Sequence, residues 1–318
     1  MIKTGLVRTT VTLAVMLSAM SSLSAQGIKF RIGTLPTYDF AASEVAIAKG
    51  FYKEEGLAIE TMPAAGAAGI SALVAGQLQV VSTSSVPILI AAMQGLNPVI
   101  IGAGDTTGDT PPDLAGLVAK KGAGFKTGKD LEGKTIAVNA RNNIIWLYAR
   151  EWIERTGGDP AKVTFSEVPF PQMADAVQNG RVDTAMMVEP FLSAALKAGI
   201  IESVSWPYAE VQKRIPVAQY VTTKAYADAN PDAVARFRKA HDRGVDWTNQ
   251  NIETQEFRQI VSAYTKVPVD RIADAARPVF VKKIKMTSLE QLAALMKKHG
   301  LLKSDIDLKA VVHPSIQE

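Results

Sequence analysis

Apolar and polar positions alternate from Ile28 to Thr34 and predict a β-strand, with residues 35–39 as the loop behind it. Residues 40–53 read as helix, interrupted or ended around Gly50. Then come a strand at 57–62, a helix of small residues at 67–75, a strand at Val80 and Val81, a helix at 86–94 and a strand at 98–102. Strands alternating with helices argue for a mostly parallel sheet covered on both faces. Residues 105–113, rich in Thr, Gly, Pro and Asp, form a loop, and 114–120 return to strand. A second series opens after the polar stretch 126–134: strand Thr135–Val138, a helix after Asn143 ending near Arg155, strand 163–168, helix 173–178 and strand Thr184–Val188. Residues 217–223 read as the crossing back. Beyond them the chain is mostly helical, with Pro231 suited to a first helical turn and Val234, Phe237 and Ala240 forming an apolar stripe for packing. Thr287 with Glu290 suggests a capping box ahead of Leu292 and Met296, and Gly300 ends that run.

The two series share a phrase. Ala72-Leu73-Val74-Ala75-Gly76-Gln77-Leu78-Gln79-Val80 recurs 104 positions later as Ala176-Val177-Gln178-Asn179-Gly180-Arg181-Val182-Asp183-Thr184. Each copy reads as a helix end, a glycine that can take the left-handed conformation, and a strand. Each then runs into a polar segment, Ser82-Thr83-Ser84-Ser85 in one and Val188-Glu189-Pro190 in the other. Two similar α/β units ending in such loops suggest two lobes facing across a cleft.

Composition refines this picture. The 318 residues are 47% apolar and 21% charged, as in a folded and soluble chain with a sizeable core. The first 25 residues differ in kind: Lys3 and Arg8 precede a short apolar stretch from Val11 to Met20, and Ser22-Leu23-Ser24-Ala25 offers a cleavage site. That is the layout of a secretory signal peptide, too short to span a bilayer. Its removal lowers the formal charge of +4 by two, and the brief Lys282-Lys283-Ile284-Lys285 run is no nucleic-acid footprint. The absence of cysteine excludes disulfides, cysteine catalysis, cysteine-ligated iron–sulfur clusters and an N-terminal lipid anchor, and suits a periplasmic protein.

Four segments, 47–57, 76–85, 131–138 and 180–190, carry a resemblance over nearly the whole mature chain. In order and spacing they resemble the periplasmic substrate-binding proteins of ABC importers for nitrate, sulfonates and taurine, with relatives that bind thiamine pyrimidine precursors. The resemblance implies a type II periplasmic binding protein fold: two lobes with mostly parallel central sheets and a ligand cleft between them. It further implies C-terminal helices returning to lobe one. The expected division is a signal peptide at 1–25, lobe one at 26–121 and 222–318, and lobe two with the hinge crossings at 122–221. The implied partners are a small-molecule ligand and an ABC permease with its ATPase. A monomer is the default for this architecture.

The candidate site follows the loops at the strand ends. Thr83, Ser84 and Ser85 stand between a strand and a helix, where free N–H groups and the helix dipole favour an anion. Across the cleft Asn139, Arg141 and Asn142 occupy the equivalent turn, and Arg141 offers a paired fork to a carboxylate or sulfonate. Glu189, in the family's acid–proline pair, either meets an amino group or holds the hinge through backbone N–H groups. Thr34 and Tyr38 sit where relatives present contacting residues, and Phe170 and Met173 offer an apolar wall or core packing. The set favours a small organic anion or zwitterion over a metal. His241, His299 and His313 show no ligand-like spacing, so neither metal nor cofactor is expected.

Nor is an enzyme. Relatives that make a thiamine pyrimidine precursor consume one of their own histidines and use a cysteine-rich iron site, whereas this chain has no histidine before His241 and no cysteine. A Gly-x-Ser-x-Gly turn is also lacking. The alternatives are a periplasmic ligand sensor and, behind it, an enzyme related to thiamine pyrimidine synthesis.

Overall fold

The computed structural model describes residues 27–318, so the expected signal peptide lies outside the described residues. One five-stranded sheet has the order β2-β1-β3-β11-β4, built from β1 (Ile28–Thr34), β2 (Leu57–Pro63), β3 (Val80–Ser84), β4 (Pro98–Ala103) and β11 (Ala218–Thr223). The other has the order β10-β6-β9-β7-β8, from β6 (Ala115–Lys120), β7 (Thr135–Val138), β8 (Thr164–Glu167), β9 (Thr184–Val188) and β10 (Ile201–Ser205). Two short strands, β5 (Asp105–Thr106) and β12 (Val279–Phe280), pair apart from both.

In each sheet four strands run one way and one runs against them. β1 pairs parallel with β2 and β3, and β11 runs antiparallel to both β3 and β4. The second sheet repeats this: β7 pairs parallel with β8 and β9, and β6 runs antiparallel to β9 and β10. The reversed strand is in each case the one delivered by a crossing from the other lobe. A strand arriving across the cleft enters its sheet from the end opposite to that of its neighbours.

This pairing moves the expected boundaries. β6 belongs to the second sheet, so the outward crossing lies before Ala115 and not after residue 121. Likewise residues 218–223 are a central strand of the first sheet, and the return crossing is already complete at Ala218. A strand signal in sequence carries no record of which sheet completes its hydrogen bonds, and here the partners decided.

The repeated phrase occupies equivalent places. Helix Gly66–Val74 ends at Gly76 (φ 71°) before β3, and helix Phe170–Gln178 ends at Gly180 (φ 68°) before β9. Both close with the same pair of bonds: Gly76 N–H to Leu73 O with Gln77 N–H to Ala72 O, and Gly180 N–H to Val177 O with Arg181 N–H to Ala176 O. Left-handed closure of this kind excludes a Cβ at low cost only for glycine.

The C-terminal helices complete the first lobe. Helix Pro231–Asn251 lays Val234, Phe237, Ala240 and His241 on the outer face of the first sheet, where Phe237 stacks on Phe30 and Tyr52 at ring distances of 5.4 Å. It crosses helix Ala41–Ala48 so closely that a Cβ on Gly244 would stand 2.3 Å from Ala42 O. His241 Nε2 bonds Ala103 O, and burial pushes its pKa down to about 4, so it stays neutral in the core.

Other C-terminal segments reach across to lobe two, which the expected division did not include. Lys298 and His299 both bond Glu151, at 2.7 and 2.8 Å, and Lys197 pairs with Asp274. Burial alone pushes Glu151 up, but hydrogen bonds from Lys298, Arg155 and His299 hold its carboxyl down at about 2. The expected capping box at Thr287 does not form, because helix Met286–Lys298 begins one residue earlier, after Lys285, and Thr287 lies inside its first turn.

Candidate functional site

The carboxyl ends of β1 and β3 face the corresponding ends of β7 and β9, where open α/β sheets place their ligands. Between them lies a cavity of about 40 Å³. Lobe one contributes Leu35, Thr37, Asp39 and Phe40 from the loop after β1, Gly66, and Thr83 and Ser84 from the end of β3. Lobe two contributes Asn139, Asn143, Ile144 and Ile145 from the turn after β7, Phe170, and Val188 from β9. Tyr208, Val217 and Ala218 close it from the return crossing.

Four helices begin on these walls: Gly66–Val74, Ser85–Met93, Ile144–Arg155 and Phe170–Gln178. Their N-termini turn partial positive charge towards the cavity. Some of the free donors are satisfied locally. Gly66 N–H donates to Thr83 Oγ1 at 2.9 Å, and Ile144 N–H donates to Asn143 Oδ1 at 2.7 Å. The same Asn143 oxygen accepts from the Ser84 hydroxyl, so one hydrogen bond spans the two lobes directly over the cavity. Asn143 Nδ2 donates in turn to Asn139 Oδ1.

A cavity of about 40 Å³ takes a few water molecules at most, whereas solute sites occupy roughly 300–1,000 Å³. The walls are therefore in a closed arrangement and must part to admit a solute. A larger hollow of about 690 Å³ lies between Glu151, Arg155, residues 211–214 and helix Met286–Lys298. It is an open surface groove whose Arg155, Arg214 and Lys298 already hold Glu151 and Asp109, and it lies away from the strand ends.

Of the residues expected from sequence, Thr83, Ser84, Asn139 and Phe170 line the cavity. The others lie off its wall, each for a visible reason. The Ser85 hydroxyl donates to Pro216 O at 2.6 Å, away from the cavity. Arg141 is tied back onto lobe two, its N–H donating to Glu167 Oε1 and its guanidinium to Phe165 O, both at 2.8 Å. Asn142 is an exposed turn residue with a φ of 55°. Met173 is fully buried in lobe-two core, and the Thr34 hydroxyl turns onto Leu35 O. Tyr38 packs edge-on against Phe257, while its N–H donates to Glu189 O; burial pushes its phenol up.

Glu189 is buried behind the cavity wall. Its carboxylate accepts from Ser193 Oγ at 2.6 Å, Ser193 N–H at 3.1 Å and Ala276 N–H at 3.0 Å, fastening helix Phe191–Lys197 to the C-terminal segment. Burial raises its pKa to about 7.

Sequence reasoning missed Thr37, Asp39, Tyr208 and Asn143, the last taken only as the residue before a helix. Asp39 lies beside Tyr38 in the loop after β1, the loop in which the resemblance pointed to Thr34 and Tyr38. Tyr208 sits in helix Pro207–Val211 on the return crossing, and nothing in its local sequence marks it. The histidines lie elsewhere: His241 in the lobe-one core, His299 on Glu151 and His313 against Ser315.

Two α/β lobes exchanging one strand each around a closed cleft have the architecture of the periplasmic-binding-protein fold. Residues 37–254 match the family described as NMT1/THI5 like, and the chain belongs to that family. It is similar to the putative binding protein YtlA of Bacillus subtilis, 22% identical over 293 residues, covering 88% of this chain and 85% of that one. Among solved structures it resembles the periplasmic nitrate-binding protein NrtA from Synechocystis PCC 6803, with a TM-score of 0.79 at 17% identity, covering 92% of this chain and 87% of that one. The alkanesulfonate-binding protein SsuA from Xanthomonas axonopodis pv. citri, bound to MOPS, matches with a TM-score of 0.75 at 16% identity, covering 92% of this chain and all of that one.

Proposed function

We propose that this protein is the periplasmic solute-binding component of an ABC importer, exported by its N-terminal signal peptide. It captures a small organic zwitterion or anion, of the sulfonate, taurine-like or carboxylate class, and delivers it as a monomer to a permease and its ATPase. The observation that carries this reading is the convergence of strand ends and helix N-termini from both lobes on one cavity, bridged by Ser84 and Asn143. Contacts from both walls favour the closed state over the open one, so a solute shifts the population towards closure. The chemistry asked of the residues is recognition, with no bond made or broken.

The test has two parts. Native mass spectrometry of the mature protein from its own periplasm identifies a co-purified solute. Small-angle scattering with and without that solute then reads the closure. A radius of gyration unchanged at saturation removes the capture mechanism. An empty protein that also gains no thermal stability from sulfonates, carboxylates or zwitterions removes the solute class.

A further inference from the structure

Asp39 stands on the cavity wall with 9% of its surface exposed and is the one carboxylate among the lining residues, which include no Lys, Arg or His. Thr37 stands beside it on the same wall, 2% exposed, its hydroxyl within reach of the Asp39 carboxyl and of no other partner. Behind Asp39 lie two more buried acids. Asp105 accepts Ala218 N–H through Oδ1, and Asp113 accepts Leu114 N–H through Oδ1. Burial pushes all three up; the charge of Asp39 raises Asp105 and Asp113 further, and Asp105 shares a hydrogen bond with Asp39, as a protonated acid donating to its neighbour. Glu189 adds a fourth from the lobe-two side, and the remaining titratable neighbours are the neutral phenols Tyr38, Tyr208 and Tyr264, with Arg277 beyond them on Tyr38 and Glu253.

An acid with no cation, facing a water-poor cavity and backed by further acids, is an expensive arrangement for an unaccompanied oxyanion site. It is repaired when a positive group enters the cavity. The helix N-termini on the opposite and flanking walls supply the complementary pole, so the cavity is negative at Asp39 and partially positive around Ser84, Ile144 and Phe170.

Resting on the reading of this cavity as the solute site, we propose that Asp39 is its specificity-determining residue and receives a protonated nitrogen of the solute, with Thr37 as a second polar contact. The solute class narrows accordingly. An aminoalkyl or other nitrogen-bearing zwitterion fits, and a bare oxyanion such as nitrate or an alkanesulfonate does not. The competing arrangement keeps Asp39 protonated, donating its O–H to an oxyanion. The two differ in what Asn does at this position, since the amide can replace a neutral donor but not a counter-ion.

The experiment is isothermal titration of the mature protein with matched probe pairs: taurine against ethanesulfonate, β-alanine against propionate, and 4-(aminomethyl)benzoate against 4-methylbenzoate. At least one amino member is expected to bind, about tenfold or more tighter than its partner. Asp39→Asn is expected to erase that preference while retaining the cooperative melt of the wild type. Binding by no amino member, binding indifferent to the amine, or an amine preference that survives Asp39→Asn overturns the proposal. Anion binding that persists or strengthens in Asp39→Asn does so in favour of the protonated acid. Asn139→Trp, which fills the cavity from a half-buried turn, separates the two levels. Loss of binding there keeps the cavity as the site whatever the head group, and retained binding removes the site itself.

Discussion

The two halves of the cleft are built alike and used differently. The turn after β1 carries Thr37 and Asp39 to the cavity, while the equivalent turn after β7 brings only the neutral Asn139 and Asn143. At the end of β3, Ser84 reaches across to the other lobe; at the end of β9, Glu189 turns inward to Ser193 and Ala276. Equivalent backbone thus lines the cavity with polar side chains in lobe one and serves fastening in lobe two. A repeated fold supplies strand ends and helix N-termini twice over, but the polar side chains on them answer to whatever each loop faces.

The strongest way to break the comparison is pH, because buried acids gather where the halves meet. Burial raises Glu189 to about 7 and Asp113 to about 6, and pushes Asp105 well up. The folded state therefore holds protons that the unfolded chain has lost between the ordinary carboxylate range and about 7. Stability of the unliganded protein is expected to fall as pH rises through that window, at roughly 1.4 kcal/mol per pKa unit and group. His241, neutral down to about 4, opposes this below its ordinary 6.5, one group against several. Urea melts across the window check the sign. A flat or rising profile would mean that the acids are paired more effectively than their surroundings show.

Removing the lobe-two fastener comes next. Glu189→Ala deletes the acceptor for three donors and is expected to cost about 2–4 kcal/mol, read as a lower urea midpoint at unchanged slope. A loss confined to ligand affinity, with stability intact, would move Glu189 to the ligand side of the comparison.

Ser84→Ala sharpens the contrast from lobe one. It removes the hydrogen bond across the cavity and leaves the rest of the wall in place, for about 1 kcal/mol against closure. Closure around a solute is expected to weaken, read as an about fivefold lower affinity by titration with a small change in melting temperature. The smallest effect is expected at Arg141→Ala. Its guanidinium is spent on Phe165 O within lobe two, so solute affinity should change by no more than about twofold. A tenfold loss by titration would show that the arginine swings into the cleft on binding.

Much of the fold was legible because it is written in local periodicity. β1, β7 and β9 fall on their expected residues, helix Ile144–Arg155 starts after Asn143 as read, and the helix-ending glycines mark the repeat. The loops that make the cavity were legible too, since strand ends in an α/β chain point to one place. Side-chain direction was not. Ser84 and Ser85 are adjacent and chemically identical, yet one bridges the cleft and the other bonds Pro216. Arg141 looked like an anion fork only while the carbonyl of Phe165 was unknown.

By itself, then, the sequence determined the order of elements, the duplication and the set of loops that bound the cleft, because these depend on residues within a few positions of one another. Only the tertiary structure decided which sheet received β6 and β11, how far the C-terminal segments straddle the lobes, and which carboxyl faces the cavity. Asp39, Asp105, Asp113 and Glu189 are scattered over 150 residues of chain, and their shared burial arises only where the two crossings bring the lobes together.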